Sequence, residues 1–328
     1  MRPRHGYPPI LAICCTAAIV CLLSLRSAAS DEGTFQRTLQ VTGPVSLNIT
    51  TGSGNINVHA GGSGQVQVTG HIKVTDWFGG DAEQRVKSIE DNPPIQQSGN
   101  DIRIGHSGDN ELFHNVSISY ELIVPADTRL NSHTGSGNQT VAGVHGQVEV
   151  ESGSGGLKVS DIADSVHAEA GSGDIHIDHV KGNVHAKTGS GLIQASDVAG
   201  GFAGSTGSGH ITLDQSAPGS VRAETGSGGL DLRGVRGSLE ATAGSGTISA
   251  EGNPTGSWNV HTGSGSVRLK LASDAGFDLD ARTSSGSISV SQPVIVQGTI
   301  GRKQLHGQVH GGGVPVDVET GSGNIEIQ

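Results

Sequence analysis

The sequence predicts an all-β chain: a single-chain β-solenoid with rungs of about 18 residues, Gly-Ser-Gly corners and one short helical insertion or cap. Three observations carry this. First, Gly-Ser-Gly recurs along most of the chain, as in "TTGSGNINV" from Thr50, "EAGSGDIHI" from Glu169 and "ETGSGNIEI" from Glu319. Second, it recurs on a count. The preceding residue falls at Thr134, Ser152, Ala170, Thr188, Thr206, Thr225, Ala243, Thr262, Thr283 (in "TSSG") and Thr320, in steps of 18, 18, 18, 18, 19, 18, 19, 21 and 37. A flexible Gly/Ser linker keeps no such register, whereas stacked repeats must. Third, apolar residues alternate after each corner, as in Leu157 and Val159, Ile175 and Ile177, Ile211 and Leu213, Leu230 and Leu232. A period of two is that of a half-buried strand, and no helical period fits.

The elements follow in order. Arg2 and Arg4 precede an apolar run from Ile10 to Leu25 and then "RSAAS". That order is a secretory signal peptide over residues 1–29, cleaved after Ala29 or one residue later, and the run is short for a membrane span of ~20 residues. Cys14, Cys15 and Cys21 all lie inside it, so the expected mature chain, residues 30–328, has neither disulfide nor thiolate metal site. Val20 before Cys21 argues against lipid attachment. The formal charge of −11 becomes more negative once Arg2, Arg4 and Arg26 are removed, which with no basic stripe excludes nucleic acid as a natural partner. No second long apolar run follows, so the expectation is an exported product without a transmembrane segment.

Between Thr51 and Thr134 the count breaks. An insertion or cap over about residues 72–115 contains one helix pattern, Asp81 to Asp91, stopped by Pro93 and Pro94. Regular rungs then run over about residues 128–328. Within one rung, the paired apolar residues are followed by Val144, Ile162, Val180, Val198 or Val235, then a turn glycine such as Gly182 or Gly200. A second alternating strand follows, as in Val166-His167-Ala168 and Val184-His185-Ala186. Strand, corner, strand, corner completes the unit. Gly-Ser-Gly is expected to turn the corner through backbone angles that only glycine adopts easily. The residue before it is expected to stack inward as a column of small side chains. Phe202, Val221, Leu239, Trp258 and Phe277 are expected to share another inward column, which makes Trp258 a core residue. Roughly 12 or 13 rungs at the strand spacing give a rod of about 60 Å.

The stretches "YELIVPADTRLNSHTGSG" and "GQVHGGGVPVDVETGSGNIEI", with the iterated Gly-Ser-Gly strands, resemble the bacterial family called "putative adhesin", exported β-solenoid domains related to autotransporter-adhesin-like heads. The resemblance spans about Leu39 to Gln328. It implies a β-solenoid fold and carries no catalytic residues to transfer.

Several chemistries are weak on residue grounds. A phosphate loop needs Lys-Ser/Thr after its glycines and then a helix, but strands follow here. A calcium solenoid needs a carboxylate ladder, and the position after Gly-Ser-Gly reads Gly156, Asp174, Leu192, His210, Gly229, Thr247, Ser266. The outward position between the paired apolar residues reads Lys158, His176, Gln194, Thr212, Asp231, which is no ice-binding threonine ladder. His167 and His185 hold one outward position on neighbouring rungs, with His176 and His179 between them in sequence, so stacked imidazoles are a metal possibility whose third ligand is not evident. Glu240, His261, Asp280 and Arg282 lie on adjoining outward columns, the alternative being a carbohydrate-active lyase or hydrolase. Trp77 and Phe78 are the conspicuous aromatic candidates for an interaction site. The expected function is a non-catalytic, adhesin-like surface or envelope protein, without cofactor, partnered by a polysaccharide or an envelope protein.

Overall fold

The computed structural model describes residues 32–75, 81–106, 111–296 and 301–328. Residues 1–29, expected to be a signal peptide, and the pair Trp77–Phe78 lie outside the described residues. Two long sheets, of 15 and 14 strands, form the two sides of a β-solenoid. Each regular rung gives one strand to each sheet. Val148–Ser152 lies in the first sheet, the chain turns at Gly153–Gly155, and Leu157–Ile162 lies in the second. The next rung repeats this with Val166–Ala170 and Ile175–Val180, parallel and in register. Register is set by the pleat, because a slip of one residue would turn the whole apolar set outward. Val148, Val166, Val184, Phe202, Val221, Leu239 and Trp258 therefore form one buried column through seven successive strands.

The corners work differently from the sequence expectation. At Gly173 and Gly191 no positive φ calls for glycine. A Cβ on Gly173 would lie 1.9 Å from the carbonyl oxygen of Gly155 one rung earlier, and one on Gly191 would lie 2.0 Å from that of Gly173. Glycine is required because corners stack backbone on backbone. The column before each corner is likewise more than a set of small side chains. Thr188 Oγ1 donates to the Gly173 carbonyl at 2.9 Å, and Thr206 Oγ1 to the Gly191 carbonyl at 3.0 Å. Each of these hydroxyls also accepts from its own corner, Gly191 N at 3.2 Å and Gly209 N at 3.0 Å. The donation across rungs recurs at Thr134, Ser152, Thr225, Thr262, Thr283 and Thr320. Buried polar groups need partners, and this ladder pairs corner carbonyls with buried hydroxyls. Left-handed backbone is used at the opposite turn, where Asp161, His179 and Asp197 stand at φ 57, 53 and 51, residue types that tolerate it.

Both ends depart from sequence order. Thr128–Thr134 stacks directly on Val45–Thr51, and Gln139–Ala142 on Ile56–Ala60. The intervening chain folds onto the other side of that first rung. Asp101–Gly105 and Val116–Val124 extend it in parallel, and Gln65–Val74, Glu32–Gln40 and Ile95–Ser98 close it with antiparallel pairs. The helix Ala82–Asp91 buries Ala82, Val86 and Ile89. Its Glu90 accepts from Thr34 N at 2.7 Å, and Arg37 Nη2 donates to the Glu90 carbonyl at its last turn.

At the far end, Val314–Ser322 lies between Trp258–Ser264 and Phe277–Ser285. Ile325–Ile327 is inserted in the same way between Val267–Leu271 and Ile288–Val290. The rung latest in sequence is thus next to last in space. Trp258 is fully buried, and its Nε1 donates to the Gly237 carbonyl at 3.0 Å. The residues stacked beyond it are Val316 and Leu279, while Phe277 pairs with Val314. This corrects the inward column expected from simple counting. The antiparallel strand Gln304–Val309 then covers Phe277–Ser285.

Replacing the buried hydroxyl leaves a corner amide and a carbonyl without partners. Thr206→Val is expected to destabilise by about 1–3 kcal/mol and Thr206→Ser by much less, read from denaturation midpoints. Ala243 and Ala170 interrupt the ladder. Ala243→Thr, supplying the missing hydroxyl towards Gly228, is expected to raise the midpoint, and a lowered midpoint would show that the ladder is incidental.

Candidate functional site

Along the outer face of the first sheet runs a groove of about 640 Å³. Its floor is one outward column, His167, His185, Ala203, Arg222, Glu240 and Asn259, each residue paired with the next on parallel strands. Its wall is the turn that precedes each strand, including Ser165, Asn183, Gly201, Ser220, Ser238 and Ser257. The wall is held by backbone pairing between rungs and by Asn183 Oδ1, which accepts from Gly201 N at 2.9 Å. The fold thus sets polar side chains at strand spacing, near 4.8 Å, on a rigid parallel sheet. A smaller depression of about 520 Å³ on the second sheet includes Asn138, Lys158, Asp174 and His176. There Asp174 Oδ1 accepts from Leu192 N at 2.9 Å, so this carboxylate serves the stack.

The floor has two electrostatic centres. Arg222 reaches Glu240 at 2.8 Å and also pairs with Glu224. At the other end the rings of His167 and His185 are stacked, centroids 4.7 Å apart and planes within 3°. His167 Nε2 stands 3.2 Å from Glu169 Oε1. Desolvation lowers the His185 pKa from its ordinary 6.5, and His167 and Lys187 lower it further against the opposing pull of Glu169. Burial and these neighbours thus favour the neutral form of His185. Nitrogen and oxygen atoms of His167, Glu169 and His185 lie within 4.8 Å of one another. His176 is on the second sheet, and His179 sits at a turn between Asp178, at 2.6 Å, and Asp197, at 3.6 Å.

The four residues of the enzyme alternative do not converge. Glu240 and Asp280 share a column, but Asn259 and Asp317 stand between them, a separation of three strand steps or about 14 Å. Paired glycosidase carboxyls stand about 5–9.5 Å apart. His261 is 3.8 Å from Glu319, and Asp280 is engaged by Arg282 and lies 4.0 Å from His306. Asp317 and Glu319 were hidden from sequence counting because the inserted rung is displaced in chain order. Glu169 was legible in principle. It sits two residues after His167 on the same face, which the strand period alone implies. Trp77 and Phe78 lie outside the described residues.

A two-sheet parallel β-solenoid with an open groove along one outer face is the class defined by fold and site. Residues 47–328 match the family described as Toastrack DUF4097, and the chain belongs to that family. No curated protein matches it. Among solved structures it is similar to a "putative cell adhesion protein" from Clostridium sporogenes ATCC 15579. The two are 12% identical over 90% of this chain and 99% of the other, with a TM-score of 0.20. A "putative adhesin" from Bacteroides fragilis NCTC 9343 is 15% identical over 90% of this chain and 97% of the other, with a TM-score of 0.28. No helix among the described residues is long and apolar enough to cross a membrane.

Because His185 binds a proton less readily in the folded chain, its contribution to stability is present above about pH 6.5 and is lost on acidification, as the unfolded chain gains protons first. His185→Asn is expected to flatten the fall in denaturation midpoint between about pH 7.5 and about pH 5. An unchanged fall would place the acid sensitivity elsewhere.

Proposed function

We propose that the chain is a non-catalytic, exported surface or envelope protein whose groove holds an extended polymer, with polysaccharide the first choice and an envelope protein the second. The carrying observation is the floor itself. His167, His185, Arg222, Glu240 and Asn259 offer donors, acceptors and both charge signs at regular spacing along one line. A polymer with its own repeat can meet such a line several times over, so weak contacts add through effective concentration. Catalysis by contrast needs groups converging on one bond, and Glu240 and Asp280 stand strands apart. Export is supported by the basic start, the apolar run Ile10–Leu25 and "RSAAS".

The test is retention of the purified chain on a panel of envelope and plant polysaccharides, with release of new chain ends recorded in the same samples. Retention without turnover is expected, weakened several-fold by Arg222→Ala or Asn259→Ala and unchanged by Asp280→Asn. Turnover abolished by Asp280→Asn would sink the reading and favour the lyase or hydrolase. Absence of both retention and turnover across the panel would move the groove's occupant from polysaccharide to protein.

A further inference from the structure

The stacked imidazoles at the end of the groove are a consequence of parallel register. Identical residues at an 18-residue interval must fall one above the other, and His167 and His185 do so with nearly parallel rings. Two imidazoles stacked this way place ring nitrogens on adjacent strands. The strand period then places Glu169 on the same face, two residues along from His167, its Oε1 already 3.2 Å from the His167 Nε2. The three ligand atoms lie within 4.8 Å of one another. Zinc–nitrogen and zinc–oxygen bonds of ~2.0–2.2 Å hold ligand atoms somewhat closer than that, and rotation of these partly exposed side chains closes the difference without backbone motion.

The surroundings favour a cation. Glu149 lies one strand below His167 and Glu151 one strand below Glu169. Glu149 is bonded by Asn131 at 2.9 Å and Glu151 by His133 at 3.2 Å, so both carboxylates are anchored close by. Against these stands one cation, Lys187, paired in register with Glu169 and exposed at the end of a flexible stem. On the strand above His185 the same position is Ala203, which leaves the groove side of the imidazole uncovered. An ion held here would keep its outer coordination positions towards the groove.

We propose that His167, His185 and Glu169 bind one divalent transition-metal ion of the zinc and copper class at the end of the groove. Two imidazoles and a carboxylate are the ligand mix of zinc and copper sites and a poor one for calcium, which takes six to eight oxygens. Arg222 and Glu240 are occupied with each other farther along the floor. The site stands independently of what fills the groove, since its ligands come from the chain alone.

The test uses the full chain with Zn²⁺ in equilibrium dialysis and Cu²⁺ in electron paramagnetic resonance, with no polysaccharide present. One tight equivalent is expected, with hyperfine coupling to two nitrogens. His185→Asn should weaken it more than about tenfold and leave one nitrogen. Glu169→Gln should weaken it while keeping both nitrogens. His145→Asn and His306→Asn, remote surface histidines, should change nothing. Circular dichroism of each variant confirms the fold. Absence of a tight equivalent, or one that survives the double variant His167→Asn/His185→Asn, would overturn the site. Repeating polysaccharide retention in chelator separates the two proposals, because a failed metal site leaves retention untouched and a failed polymer reading leaves the metal equivalent in place.

Discussion

The contact on which the rest depends is the one between corners. At most turns from the first sheet to the second, Ala170 and Ala243 being the breaks, a hydroxyl buried inside the stack donates to a glycine carbonyl of the neighbouring rung, and at Thr188 and Thr206 it also accepts from its own corner. Sheet hydrogen bonds hold neighbouring strands but would tolerate drift where flanks are weakly apolar. The hydroxyl and the absence of a Cβ together fix the corner to one position. A shift of one residue would bring a Cβ against a backbone carbonyl at under 2.5 Å at most corners, a contact no rotamer relieves. Thin cores of Val, Ile, Leu and Ala supply the bulk of stability at about 1.5–3 kcal/mol per buried large side chain. Those side chains set the stability, and their pleat together with the corners sets the register.

Fixed register turns the surface into columns. A side chain's neighbours across strands are its counterparts about 18 residues away, so the chain writes its surface chemistry as parallel lines. Lines of this kind are good at repeated, weak contacts and poor at focusing several groups on one atom. Among the described residues, a trio of metal-ligating atoms comes together where two rungs carry the same ligand type and a third sits two residues along, at His167, His185 and Glu169. Elsewhere on the outer faces, opposite charges on neighbouring rungs of one line tend to neutralise one another, as do Arg222 with Glu240 and Lys270 with Glu251. Exposed pairs of this sort contribute little to stability, roughly 0–1 kcal/mol each.

The middle of the molecule was legible from spacing because spacing is its physics. The marker steps located the corners, the two-residue period identified the buried faces, and Trp258 belonged to the core. The reason for glycine was misread, since a corner crowded by its neighbour looks in sequence like a corner needing unusual dihedrals. The hydroxyl ladder was half visible: Thr, Ser and Ala share small size, and only a hydrogen-bond inventory of the corner separates Thr188 from Ala170. The helix pattern from Asp81 gave Ala82–Asp91, with its buried Ala82, Val86 and Ile89 on one side.

The ends were least legible, and the reason is topological. A repeating stack has open edges at both ends, and each edge offers unpaired backbone groups to any passing strand. This chain closes them by leaving sequential order. At one end residues between Thr51 and Thr128 fold back over the first rung, and antiparallel strands finish each sheet. At the other, Val314–Ser322 enters beside Trp258–Ser264, while Phe277–Ser285 is displaced outward and covered by Gln304–Val309. A step of 37 residues reads as two ordinary steps with one marker skipped only if the stack is assumed to grow in one direction. Once closure of the edge is taken as the governing need, the long step marks a return, and Asp317 and Glu319 come to separate residues that counting had made neighbours. The same displacement that ends the solenoid cleanly also pulls Glu240 and Asp280 apart, so the shape of the floor is decided as much at the cap as in the repeats.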